Sequence, residues 1–207
     1  MDIKTAIEEE RKKQESLFGG IKERVKGKVA VLYGEPFVGK SIFALNFSKF
    51  FKNSTLLLID RNYVDDYFKI NTNLNVLKVN SPKQLEYYLG KEIEVKDDQL
   101  LIIDSITSLA PFFITESYVT PRGANAFSNF VDKVMRHLAT LKPTTSLVIT
   151  HERLRSFESK DIVPRINMIA LRHCDIIMRM WIDNEERKIE IVKERKMVNK
   201  AEFSFVG

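Results

Sequence analysis

Five short apolar runs, set apart by stretches of helical or turn pattern, constrain this chain more than any other feature. They are Val29-Ala30-Val31-Leu32-Tyr33, Thr55-Leu56-Leu57-Leu58-Ile59, Leu74-Asn75-Val76-Leu77-Lys78-Val79, Leu100-Leu101-Ile102-Ile103 and Ser146-Leu147-Val148-Ile149. Runs of this length and continuity suit strands buried on both faces. Helical patterns lie between them. One follows Ser41 and is expected over 41–52. Another begins at Ser81-Pro82, a capping serine followed by proline at the first helical position. A third covers 124–141, where Phe127, Phe130, Val131, Val134, Leu138 and Leu141 share one face and read as core packing. Strands alternating with helices predict a parallel sheet covered by helices on both sides. After Cys174 the pattern changes. Asp175–Ile182 and Arg187–Lys196 are β-rich runs around Asp183-Asn184-Glu185-Glu186, which reads as a hairpin. The expectation is an α/β fold of three layers, with a mainly parallel central sheet and a C-terminal antiparallel hairpin.

The composition agrees. The chain has 207 residues, 44% hydrophobic and 29% charged, an ordinary globular balance that argues against general disorder. No run of 18 apolar residues exists, so a spanning helix and a membrane partner are excluded from the expectation. Cys174 is the one cysteine, so an internal disulfide is impossible. The opening MDIKTAIEEERKKQ lacks the apolar core of a secretory signal. An intracellular, cytoplasmic protein is expected. Residues 1–16 are strongly charged and read as an exposed helical arm, ended by a break at Gly19-Gly20. Residues 17–207 read as one core domain.

Gly34-Glu35-Pro36-Phe37-Val38-Gly39-Lys40-Ser41 matches the phosphate-loop pattern G-x-x-x-x-G-K-S/T. Glycines let backbone N–H groups wrap a phosphate closely, and the following helix aims its positive end at the anion. The nucleotide-contacting stretch therefore runs from Gly34 to Ile42. Lys40 reaches the outer phosphates, and Ser41 offers a hydroxyl to magnesium. The context is right: an apolar strand before, a helical pattern after. Asp104 ends the apolar run 100–103, where a Walker-B carboxylate would help hold the metal. The cofactors expected are ATP and Mg2+. ATP is favoured over GTP because no guanine-reading N-K-x-D sequence occurs.

With these motifs in hand, the chain resembles the RecA/RadA-type recombinase ATPase cores. Phe18-Gly19-Gly20-Ile21, the phosphate loop, and Asp104-Ser105-Ile106-Thr107-Ser108-Leu109 occur in the family's order. Leu147-Val148-Ile149-Thr150-His151 falls where that family has its sensor strand. The shortness is similar to RadB and other archaeal RadA paralogues. Val192-Lys193-Glu194-Arg195 resembles the K-x-R element of KaiC and the replicative DnaB helicases, where it reaches a neighbour's active site. The resemblance implies a RecA-like fold, ATP at a subunit interface, and a homo-oligomer or a RecA/RadA-family recombinase partner. It also implies two DNA-facing loops, matching 112–125 with Arg122, and 152–167 with Arg153, Arg155, Lys160 and Arg165. Basic side chains there would meet the phosphates of single-stranded DNA.

The departures from that family bear on catalysis. The recombinase glutamate that orients the attacking water falls at Asn62 under one alignment. An amide cannot take up the water's proton. Under a DnaB- or KaiC-like alignment, Asp60 takes the acidic position, with a shorter reach. Asp65 and Asp66 lie farther on. The family's T-N-Q becomes Thr150-His151-Glu152. An ionised Glu152 near the outer phosphate needs a cation such as Arg153 or Arg195 beside it. His151 is a candidate donor to phosphate or water. Lys193 and Arg195 alternate on a predicted strand and suit a finger acting on a neighbouring subunit. The same pair also suits a solvated strand edge. His137 and His173 read as structural or surface residues, and no His/Cys spacing suggests zinc.

Two functions follow as expectations. The first is an ATP-binding RadA-paralogue-like protein of DNA recombination and repair, with weak or partner-dependent hydrolysis and single-stranded DNA binding. The alternative is a KaiC-like assembly switch without DNA. The net charge of +5 is unevenly spread: segments 1–28, 152–173 and 185–200 each carry a surplus of +2, and 29–151 carries +1.

Overall fold

The computed structural model of the chain describes residues 3–59, 71, 73–113, 121–155, 161–194 and 201–205. The five apolar runs all form strands. β1 is Val29–Gly34, β2 Asn53–Leu58, β3 Leu74–Lys78, β4 Gln99–Asp104 and β5 Thr145–Leu154. The later strands are β6 Ile162–Pro164, β7 Ile176–Asp183, β8 Glu186–Glu194 and β9 Ala201–Phe205. Eight strands form the main sheet in the order β3-β2-β4-β5-β1-β7-β8-β9, and β6 pairs with the end of β5. From β3 to β7 every neighbouring pair is parallel. The β7–β8 and β8–β9 pairs are antiparallel. The expected hairpin is thus present. Its turn uses Asn184 (φ 50°) and Glu185 (φ 69°), the left-handed pair that matches the twist of the flanking strands.

Helices are α1 (Ile3–Val25), α2 (Lys40–Ser48), α3 (Pro82–Lys91) and α4 (Pro121–Leu138), with 3-10 turns at Ile106–Phe113 and Ala170–His173. Strand parity assigns them to two layers. Ala30, Leu32, Leu56, Leu58, Leu100 and Ile102 point to one face, where α1 and α2 pack. Val29, Val31, Leu57, Leu101 and Ile103 point to the other, where α3, α4 and both 3-10 turns pack. Side chains alternate along a strand, so one continuous apolar run feeds both cores.

Local chemistry explains the ends. Ser81 caps α3 by accepting from the Gln84 N–H at 3.2 Å, and Gln84 Oε1 accepts from Asn80 N at 2.8 Å. The helix expected over 41–52 closes earlier, at Ser48. There the Ser48 hydroxyl donates to Leu45 O (2.6 Å) and accepts from Asn71 (2.7 Å), an alternative to continued helix. Among the described residues no helix is long and apolar enough to cross a membrane.

Two further expectations need correction. Gly19-Gly20 does not break the N-terminal helix; α1 runs through both. Each glycine weakens a helix by about 1 kcal/mol relative to alanine. Against that, Leu17, Phe18, Ile21 and Val25 are buried, each worth roughly 1.5–3 kcal/mol. Phe18 packs 5.3 Å from the Phe43 ring of α2. Tertiary packing therefore wins over local propensity. Secondly, 152–167 is not a plain loop. β5 continues to Leu154 and pairs with β6 as an antiparallel ribbon, with Glu152 opposite Pro164, Arg153 opposite Val163 and Leu154 opposite Ile162. In the other expected loop, Phe112 and Phe113 end a 3-10 turn and 121–125 open α4.

Candidate nucleotide site

The carboxyl ends of β1, β4 and β5 bring the predicted groups to one end of the sheet. β1 ends at Gly34, where an added Cβ would stand 2.1 Å from the Met180 carbonyl oxygen. Only glycine lets β1 turn off there beside β7. The loop then passes Phe37, held at φ 65°, and reaches Gly39 at φ 95°. Both are left-handed positions, and glycine alone adopts them without strain. Gly39 is the N-cap of α2 and provides no side-chain cap. The positive helix end is left for an anion.

Lys40 opens α2 and is buried. Its Nζ donates to Gly34 O at 3.0 Å and to Glu35 O at 2.5 Å, so the loop curls around the ammonium. Burial lowers its pKa below the usual lysine value, while the negative charges of Asp104, Glu152 and Glu35 act in the opposite sense. A lysine held in this way gains by meeting phosphate. Ser41 follows, partly exposed. Asp104 ends β4, buried, in register with Leu58 of β2. The adjacent Ser105 hydroxyl bonds the Thr107 hydroxyl at 2.8 Å.

On β5, Thr150 lies opposite Tyr33, and His151 opposite Gly34, in the parallel register. Glu152 follows. Its cation is Arg179 of β7, with Nε 3.4 Å from Oε2. The expected partners were Arg153 and Arg195. Arg153 is instead exposed: successive side chains on a strand face opposite sides, which separates neighbours 152 and 153. The sequence signal for Arg179 is its place between the buried Met178 and Met180 of an apolar strand.

The donor set fits a magnesium nucleotide. Gly34 and Gly39 let the loop close against Met180 O and the Arg187 side chain, where a Cβ would collide, and Lys40 is buried at the head of α2 behind them. Among the described residues no three His, Cys, Asp or Glu side chains cluster as a metal cage. A magnesium ion here would take oxygens from Ser41, Asp104, water and phosphate, the usual habit of that ion. Bound there, the metal would supply neutralisation of developing charge on the phosphates.

Other predicted residues stand apart. Arg153 on β5, and Arg155 and Arg165 just beyond the β5–β6 ribbon, are exposed, and Arg155 pairs with Asp161 at 3.6 Å. Lys193 is exposed near the end of β8 remote from the phosphate loop, next to Glu194, which pairs with Arg24 and Lys28. It cannot serve the loop of its own chain. Arg122 lies in the first turn of α4, its side chain outside those described. Asp60, Asn62, Asp65, Asp66, Lys160 and Arg195 lie outside the described residues. A second cation besides Lys40 touches the loop, and the sequence reading missed it. Arg187, just after the hairpin turn, donates from Nε to Val38 O at 3.1 Å. No protein-family model matches the chain, and no curated protein matches it.

Proposed function

We propose that this chain binds ATP with magnesium at the β1–α2 loop and acts as a nucleotide-switched accessory factor in DNA recombination and repair. The observation that carries the reading is Lys40. It is buried at the start of α2, behind a left-handed Gly39, within the electrostatic reach of Asp104. Hydrolysis is slow or partner-dependent in this reading, because neither Asp60 nor Asn62 matches a recombinase glutamate in reach and charge.

The DNA half is supported by the ribbon. Arg153 on β5 is exposed, as are Arg155 and Arg165 just past the ends of the paired strands, where Arg155 N donates to Asp161 O and Arg165 N to His151 O. The Arg155–Asp161 pair is itself solvent-exposed, and pairs of that kind hold weakly against a competing phosphate. The same β5 strand carries His151 and Glu152 at the nucleotide end, so one element joins the phosphate site to the exposed Arg153.

A second reading, a KaiC-like nucleotide-dependent assembly switch, is favoured by apolar exposure at the loop. Phe37 is 100% exposed and Ile42 53% exposed. Such surface beside a nucleotide suits cover by a second copy.

The deciding experiment measures ATP binding and turnover with and without single-stranded DNA, for wild type and Lys40→Ala, together with molecular mass in each nucleotide state. DNA-stimulated turnover lost in Lys40→Ala supports the recombination reading. Nucleotide-driven assembly without a DNA response supports the switch. No nucleotide binding by wild type would sink both.

A further inference from the structure

Arg187 touches the phosphate loop at Val38 and Gly39. Its Nε holds the Val38 carbonyl at 3.1 Å. A Cβ added to Gly39 would lie 2.9 Å from that Nε, 3.5 Å from Cδ and 3.7 Å from Cζ. The guanidinium stem therefore rests against the bare Cα of Gly39. Arg187 forms no ion pair with any described residue. It stands opposite Ile182 of β7 and Phe205 of β9, so its backbone is held from both sides.

Peptide planarity makes this contact directional. The carbonyl of Val38 and the N–H of Gly39 belong to one trans peptide and point in opposite directions. A donor that draws the Val38 oxygen outward turns the Gly39 N–H inward, toward the anion position at the head of α2. We infer that Arg187 is a positioning residue for the phosphate loop, fixing the Val38–Gly39 peptide in the orientation that receives phosphate. The inference rests on the nucleotide-site reading above. It also gives Gly39 a second reason to be glycine, beyond its φ.

The test uses the full chain and ATP-Mg as the probe, with calorimetric affinity, thermal midpoint and amide hydrogen exchange at Gly39. Arg187→Met removes the donor and should weaken ATP and ADP by about tenfold, the loss of one charge-assisted hydrogen bond. Its midpoint should stay within a few degrees of wild type, and the nucleotide-free Gly39 amide should exchange faster. Arg187→Gln keeps an N–H donor without charge and should recover most of the affinity. Should Arg187→Met not fold, the glutamine variant decides alone. Affinity within about threefold of wild type supports the peptide pin, and a tenfold loss overturns it in favour of a simple charge effect. Wild-type affinity in Arg187→Met also overturns it. Those results leave the nucleotide reading standing, whereas absent ATP binding in wild type, or binding unchanged by Lys40→Ala, defeats that reading instead.

Discussion

Glu152 and Arg179 meet across the end of β1. Their strands, β5 and β7, flank β1 on either side, and the side chains close at 3.4 Å over it. Glu152, which the family resemblance would set beside a phosphate, is thereby paired with a cation of β7. The Glu152 side chain is 11% exposed and that of Arg179 27%. Arg179→Ala leaves a nearly buried carboxylate unpaired and should lower stability by about 2 kcal/mol, below the full buried-pair value because the arginine is partly solvated. Glu152→Gln should instead raise ATP affinity several-fold, since one negative charge leaves the surroundings of Lys40. Denaturant melts and calorimetry read the two effects. Equal ATP affinity in Glu152→Gln and wild type would count against Glu152 facing the phosphate site.

Lys40 gives the site a pH signature. Its folded pKa is lowered by burial, so between that value and the ordinary 10.5 the unfolded chain holds the extra proton. Stability then rises with pH across this window and is flat below it. Wild type should gain on Lys40→Met as pH climbs toward 10.5. Saturating ATP-Mg should erase the gain, because phosphate holds the ammonium charged. A difference that falls with pH would contradict the burial of this lysine.

The glycines divide into two classes. Gly34→Ala drives a Cβ to 2.1 Å from the Met180 carbonyl oxygen, which no rotamer relieves, and should destabilise by about 3 kcal/mol or more. Gly20→Ala and Gly90→Ala meet nothing within 4 Å. Each should stabilise its helix by about 0.5–1 kcal/mol. Thermal melts of the three variants suffice. A stabilising Gly34→Ala would refute the tight turn beside β7.

Cys174 should be silent toward thiol reagents in the folded state. It is fully buried, its Sγ lies 2.7 Å from Ile176 O, and burial pushes its pKa to about 12. The reactive thiolate is therefore absent near neutrality. Alkylation should appear only on unfolding, at the denaturant midpoint. Rapid labelling of native protein would place Cys174 at the surface.

The strands were legible because their runs are apolar without interruption. Burial on both faces demands that, and few other structures do. The tight turn from Gly34 to the head of α2 was legible because its glycines sit where a backbone must turn or admit a close neighbour. Gly19-Gly20 misled for a related reason. A glycine signals a break only where packing does not overrule it, and Phe18 and Ile21 do overrule it. Arg179 and Arg187 were missed because their importance lies in pairing between β1, β7 and β8. That neighbourhood joins residues about 150 positions apart, as in the contact of Arg187 with Val38 at |i−j| of 149. The hairpin itself was foreseen. Which of its cations would stand over the loop depended on which end of β8 lies uppermost.

Strand parity also fixes how this chain can tolerate changes in length. Leu100 to Ile103 send their side chains alternately to two separate cores, and Asp104 ends the count. Deleting one residue from that stretch would exchange every later side chain between the cores and turn the carboxylate away from Lys40. A two-residue change would restore the faces but shift Asp104 by a full pleat. The spacing of β4 behaves as a reading frame for the site, and insertions in homologous chains should fall outside it.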